Sequence, residues 1–459
     1  MNMTEFTYTD ALNTLYNFVN YELKRQDQLP PEALNLDRPR QLAAIMGHPE
    51  NRYPIIHVAG TKGKGSVCAM CVAILQAAGY KVGLYTSPHM QDFRERFQIN
   101  GQLISQEQFA ELVFDLKSKF AQVEGLSWFE AITALAFEYF AHEQVDIAVI
   151  EVGLGGTLDS TNIVQPIVSV IASLSFDHTA VLGNTIAAIA GEKAGIIKSG
   201  IPVVSAPQPD EGQAVIERVA AEKHAPLTLI GRDWPLDIQA PALNGQSFAV
   251  QVGGETRNYT TNLLGRHQAI NAAVALAVMP HVEKVGLAVP ASAQAKGLQN
   301  VQWAGRLEIL QQDPIVIVDA AHNRASARYL AESLTQLFTA KPLVLVFGAK
   351  GDKDINGMME ELLPIVDTLI VTQAVDARAE NPDQIVAKAK QVRPDLAILI
   401  VPTVADALRQ GMALAGTKGL VCATGSLYIV GEVRTELGIG PGEFAPSAQH
   451  QPPQVTVKD

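Results

Sequence analysis

The sequence predicts an α/β protein in which a doubly wound parallel sheet domain is followed by a smaller α/β domain. Short apolar runs of strand length alternate with helical segments along most of the chain, the pattern of strand-helix-strand units. Polar residues gather directly after the apolar runs, where a parallel sheet collects its ligand contacts. At 459 residues the chain is too long for one ordinary core.

Composition bounds the function. An apolar content of 47% is ample for packing, and a net charge of −12 argues against a broad nucleic-acid or anionic-membrane surface while leaving room for one cationic phosphate pocket. Three cysteines make no disulfide framework and fit a reducing, cytoplasmic setting. Cys68-x-x-Cys71 invites a zinc or redox reading, but it lies in an apolar helix and lacks a second cysteine pair. The N-terminus is polar and acidic, so no signal peptide is expected, and no apolar run approaches the roughly 20 residues that span a bilayer. The expected partners are small molecules, with no nucleic acid and no membrane, and the chain is expected to act as a monomer.

Taken in order, residues 8–47 carry helical periodicity (Ala11, Leu12, Leu15, Tyr16, then Leu42, Ala43, Ile45, Met46) around a polar break containing proline. Residues 53–58 read as a short buried strand. A glycine-rich turn, Gly60-Thr61-Lys62-Gly63-Lys64-Gly65-Ser66, then leads into the apolar helix 67–75. This order makes a P-loop-type phosphate site: glycines let backbone N–H groups close around an anion, Lys64 adds a mobile positive charge, and the helix aims its positive end there. A Walker A loop would place Ser or Thr directly after the lysine to hold Mg²⁺; Gly65 stands there, so that ligand must come from elsewhere. The plain alternative is a turn that only joins strand to helix.

A second strand, 81–86, ends in Thr86-Ser87-Pro88-His89, and 92–100 reads as a loop carrying two exposed arginines, Arg94 and Arg96. Amphipathic helices are expected at 107–120 and 129–142, strands at 146–151, 167–174 and 201–206, and a helix around Glu192-Lys193. An alanine-rich helix runs from Leu263 to Met279, and 285–296, with Pro290 and several small residues, reads as a linker. Five buried strands follow at 315–319, 343–347, 369–372, 397–401 and 420–423. The tail after Gly438 is expected to be disordered. Thr86, Glu151 and His178 all fall at strand ends that converge beside the glycine turn in a parallel sheet, and a hydroxyl, a carboxylate and an imidazole there suit the missing Mg²⁺ ligands. Histidine is an unusual ligand for so hard a cation, so residue type alone favours an ordinary hydrogen-bonding role for His178 over metal ligation.

The turn resembles the nucleotide loop of the Mur ligase superfamily. With Tyr85-Thr-Ser-Pro-His89, Glu151-Val-Gly-Leu-Gly-Gly-x-x-Asp159-x-Thr-Asn162, Asp177-His178-Thr, Glu192-Lys193-Ala-Gly-Ile, Gly305-Arg306, Asp319-x-x-His322-Asn323 and Gly425-Ser426, the chain resembles folylpolyglutamate synthases and bifunctional dihydrofolate synthases from about the first helix to Val433. The resemblance implies an ATP- and folate-binding domain over 1–296, a Rossmann-like glutamate-binding domain over 297–437, and a tail at 438–459. It implies Thr86, Glu151 and His178 as Mg²⁺ contacts; Gly60 to Ser66, Asn271, Arg306 and Asp319 as ATP contacts; and Lys193 as a carbamate that binds a second Mg²⁺. It implies Ser127, Phe129, Leu158, Asp159 and Ser160 on the pterin side, and His322 and Ser426 on the incoming glutamate. K⁺ completes the implied cofactors. Two positions depart from the family pattern: Lys62 stands where Asn is common, and Arg324 where Pro is.

The implied chemistry is amide formation. ATP phosphorylates a carboxylate, the γ-carboxylate of a folate glutamate or the benzoate of dihydropteroate, and the amine of L-glutamate attacks the acyl phosphate. Lys64, His178 and Lys193 are the expected catalytic residues. The rival readings are another amino-acid ligase of the superfamily, for which the chain leaves no uridine-binding segment, a P-loop kinase, and a binding module without turnover.

Overall fold

The structure, a computed structural model, describes residues 6–21 and 35–444. The central part of the break containing proline and residues 445–459 of the tail therefore lie outside the described residues. The first body is built on an eight-stranded sheet in the order Gln102–Leu103, Phe97–Ile99, Val82–Tyr85, Ile147–Glu151, Ile55–Ala59, Val168–Ile171, Val203–Ser205, Leu227–Leu229. From Val82–Tyr85 onward all neighbours are parallel; the first two strands form an antiparallel edge.

Ile55–Ala59, at the middle, is buried at every residue because helices cover both faces. Ile56 and Val58 join the core under Lys64–Ala77 and Arg266–Glu283, whereas Ile55 joins the core under Gln106–Phe120 and Trp128–His142. The turn after this strand thus emerges between two neighbouring strand ends, at the point where connections leave in opposite directions and a doubly wound sheet binds its ligands.

The edge strand corrects one expectation. Arg96 is buried, its Nε donating to His89 Nδ1 at 3.0 Å and its guanidinium lying 4.9 Å over the Trp128 ring; Arg94 is half-buried against Asp92. The linker reading of 285–296 is also corrected. The helix Ala291–Gln299 packs on Lys64–Ala77 so closely that a Cβ at Gly297 would lie 2.4 Å from Ile74 Cα. A three-stranded antiparallel sheet, Leu236–Ile238, Gln246–Val252 and Glu255–Thr261, was not expected at all.

The second body carries a six-stranded sheet ordered Glu308–Gln312, Ile315–Val318, Leu420–Thr424, Leu343–Phe347, Thr368–Val371, Ala397–Ile400, parallel except for the first pair. Ala397–Ile400 is an exposed edge rather than a buried strand. Helix Arg324–Leu337 begins cleanly despite Arg324, because the Asn323 side chain caps it by accepting from Ser326 N at 3.0 Å.

Candidate functional site

The strand ends of the two sheets face each other across a cleft of about 380 Å³, large enough for a small-molecule site. Of the residues expected from sequence, Gly60 to Ser66, Ser127, Phe129, Glu151, Asp159, Ser160, His178, Lys193, Asn271, Arg306, Asp319, His322 and Ser426 line it. Thr86 and Leu158 do not: Thr86 is buried beside the wall at 5% exposure, and Leu158 points outward at 43%.

The glycine turn is fixed by the neighbouring strand's loop. Thr61 N and Lys62 N both donate to Ser173 O, at 3.0 and 2.9 Å, and Thr61 Oγ1 donates to Ser175 O at 3.1 Å. Gly63 has a φ of 85°, caps Lys64–Ala77, and leaves no room for a Cβ, which would lie 2.4 Å from Asn271 Oδ1. Asn271 is held by donating from Nδ2 to Gln268 Oε1 at 2.9 Å. Lys64 Nζ reaches 3.7 Å from Glu151 Oε1, while Ser87 N donates to Glu151 Oε2 at 3.3 Å. Burial pushes the Glu151 carboxyl up and Lys64 opposes this only in part.

Asp177 joins the two walls. It accepts from Lys62 Nζ at 3.0 Å and from Lys353 Nζ at 2.7 Å, with Asn323 Nδ2 at 3.4 Å. Burial favours its neutral form, but the lowering effects, led by the Lys62 charge, outweigh burial and hold the carboxyl well below its usual range. Lys62 Nζ also donates to His322 Nε2 at 2.8 Å, and His322 Nδ1 faces Ala320 O at 2.8 Å. Those two partners require a neutral imidazole with its proton on Nδ1, in keeping with burial holding His322 down to about 4.

His178 stands at a φ of 53° before the short helix Thr179–Leu182 and is held to about 3 by burial. Burial, followed by the Lys64 charge, brings Lys193 down to about 7. Asp319 accepts from Leu307 N and Ala321 N, both at 2.8 Å, and burial raises its carboxyl while Arg306 opposes.

On the expected pterin side, Phe129 approaches Gly153 so closely that a Cβ there would lie 2.4 Å from Phe129 Cζ. Ser127 caps Trp128–His142 and Asp159 caps Ser160–Ile163. Asp159 accepts from Leu154 N at 2.9 Å, Thr161 N at 3.0 Å and Thr161 Oγ1 at 2.5 Å. Both residues thus organise local backbone as well as lining the cleft.

The donors fit a hydrated hard cation only in company with a ligand. Among the described residues no three His, Cys, Asp or Glu side chains converge on one point, yet the Lys64 ammonium already stands in as a cation beside Glu151, and a neutral His178 lines the same cleft. A nucleotide's phosphates and water would complete such a shell.

Asp177, Lys350, Lys353, Arg378 and Tyr428 line the cleft without having been singled out, although Asp177 lies inside a quoted motif. The strand-end rule, applied to the second sheet as it was to the first, would have found the residues after Leu343–Phe347, Thr368–Val371 and Leu420–Thr424.

Residues 58–279 match the Mur ligase middle domain and residues 305–427 the Mur ligase glutamate ligase domain. The chain is 37% identical over 445 residues to the dihydrofolate synthase/folylpolyglutamate synthase of Bacillus subtilis, covering 94% of this chain and 99% of that protein. It is 34% identical over 452 residues to the Mycobacterium tuberculosis protein of the same name, covering 90% and 93%. The structure of Mycobacterium tuberculosis folylpolyglutamate synthase complexed with ADP and AMPPCP is similar with a TM-score of 0.83 at 33% identity, over 94% of this chain and 100% of that one. E. coli FolC in complex with DHPP and ADP gives 0.84 at 30% identity, over 95% and 99%. A glycine turn facing a second α/β body across one cleft, with these likenesses along both bodies, means that the chain belongs to the folylpolyglutamate synthase/dihydrofolate synthase family of Mur ligases.

Proposed function

We propose that this chain is an ATP-dependent ligase that adds L-glutamate to the γ-carboxylate of reduced folate polyglutamates through an acyl phosphate, and that it also accepts dihydropteroate. The observation that carries the reading is the facing of the Gly60 to Ser66 turn by Arg306, Asp319, His322 and Ser426 across a single cleft. Residues 1–296 form the ATP- and folate-binding part and 297–437 the glutamate-binding part.

A carboxylate does not lose oxygen readily, so it is first phosphorylated. The loop N–H groups and Lys64 hold the phosphates and offset charge on the transferring phosphoryl group, where proteins aid such reactions most. Asn271, Arg306 and Asp319 position the nucleotide from both bodies. Thr86, Glu151, His178 and Lys193 would hold Mg²⁺, which supplies further charge neutralisation there. A Lys193 amine brought down to about 7 has a substantial neutral fraction near neutral pH, the form that captures CO₂ as a carbamate. Ser127, Phe129, Asp159 and Ser160 shape the pterin slot, where the Phe129 face suits a flat ring; Leu158 belongs at its rim. His322 and Ser426 receive glutamate, whose deprotonated amine attacks the acyl carbon as phosphate leaves. The chain works as a cytoplasmic monomer.

The test is an assay of purified protein with ATP, Mg²⁺ and labelled glutamate, offering tetrahydrofolate and dihydropteroate separately and sizing products by mass. Glutamate amides are expected, and Lys64→Ala should lower turnover about 10²-fold or more. A phosphorylated product without an amide would instead indicate a kinase.

A further inference from the structure

A ligase that extends with glutamate must refuse glutamine, which has the same shape and lacks only the side-chain charge. Such a choice requires a cation held where that carboxylate arrives, with geometry that a neutral amide does not satisfy. Most cations of the cleft are already engaged: Lys64 beside Glu151, and Lys62 and Lys353 on Asp177.

Arg378 is different. Its Nε is buried without a hydrogen-bond partner. The nearest carboxylate, Asp376, lies 3.9 Å from that nitrogen. Asp376 already accepts from the backbone N–H of Arg378 at 2.9 Å and pairs with Lys350 Nζ at 3.1 Å. Asp376 is thus shared by two cations, Asp352 acts on Lys350 more weakly, and Arg378 is left as the surplus charge among these close pairings, a costly arrangement in a mostly buried place until an anion completes it.

The surroundings are built to hold it still. Gly351 N donates to Arg378 O at 3.0 Å, Glu380 N donates to Ala349 O at 2.8 Å, and Lys350 pairs with Ala379 in a β-bridge, so the segments bearing the two cations are stitched together. Lys350 Nζ lies 4.6 Å over the Tyr428 ring, in the first turn of the helix Leu427–Glu436 that Ser426 caps. The surplus charge therefore sits on the same wall as Ser426, and the helix start adds a favourable dipole for an anion.

We propose that Arg378, supported by Lys350, binds the side-chain carboxylate of the incoming glutamate and sets the enzyme's preference for glutamate over glutamine. The inference rests on the ligase reading above. Arginine suits the task because its planar fork meets both oxygens of a carboxylate, whereas an amide offers it only one acceptor.

The test is steady-state kinetics of the full-length enzyme with glutamate and with glutamine, for wild type, Arg378→Leu, Arg378→Lys and Lys350→Met. Arg378→Leu should raise KM for glutamate on the order of 10²-fold and reduce the glutamate-to-glutamine ratio of kcat/KM at least about tenfold, with KM for ATP within about twofold. Arg378→Lys should recover part of the preference, and Lys350→Met should show a smaller loss, which covers the case of a leucine variant that does not fold. An unchanged preference in both Arg378→Leu and Lys350→Met overturns the proposal. So does an equal loss for both amino acids, which would put Arg378 on the α-carboxylate, or a KM defect confined to the folate, which would put it on the acceptor's tail. A wild-type enzyme that forms no glutamate amide overturns the ligase reading itself, whereas each of the other results leaves that reading standing.

Discussion

His57 is wholly buried on the central strand, and its Nε2 lies 2.8 Å from Thr161 Oγ1. Thr161 Oγ1 in turn donates to Asp159 Oδ1 at 2.5 Å, so the histidine donates from Nε2, while its Nδ1 is buried without a partner. Burial, with Lys198 as the lesser cause, holds it to about 3, against roughly 6.5 in an unfolded chain. The unfolded state therefore binds the extra proton first: stability is full above about pH 6.5 and is lost as pH falls toward about 3. In urea denaturation between pH 7 and 4, wild type should lose up to about 1.4 kcal/mol per pH unit more than His57→Asn. Parallel slopes for the two proteins would refute this. At this scale the turn and the strand ends are legible because each acts through its own local geometry. Asp177 is not, because its partners Lys353 and His322 come from the other sheet, and no local pattern announces a bond between residues 176 positions apart.

The elements read well where periodicity is strong and badly where chemistry overrides polarity. Arg96 looks like a surface residue in sequence; aromatic rings and His89 bury it. The hairpin at 246–261 escaped notice although it carries its own signal: Gly253 and Gly254, at φ 58° and 86°, join two strands as a two-residue turn. Arg434 is a similar case. It lies fully buried on Leu427–Glu436, bonded to Glu308 on the edge strand and donating from Nε to Gln91 Oε1 at 3.0 Å. Glu308→Ala leaves that guanidinium without its counter-charge, which should cost about 3–5 kcal/mol. Glu222→Ala, which breaks an exposed pair with Arg218 at 2.8 Å, should cost less than about 1 kcal/mol. Equal losses in the two variants, measured by chemical denaturation, would show that burial does not set the cost.

At the scale of the whole molecule, both bodies line the one cleft, so the complete site requires them to hold together. Solution scattering should show a smaller radius of gyration with an ATP analogue plus folate than with neither, as closure shields the acyl phosphate from water; an unchanged radius would count against it. The two-body α/β plan is legible from strand spacing alone, but the way the bodies meet is not, because it rests on contacts between distant segments, apolar ones such as Met90 against the core of the second body and polar ones besides. Asp177 makes several of the polar ones, tied at once to the glycine turn through Lys62 and to the opposite body through Lys353 and Asn323. A mutational survey that scores each substrate separately should therefore find one position where ATP and amino-acid phenotypes refuse to separate, and a geneticist without coordinates would map a single lesion as two.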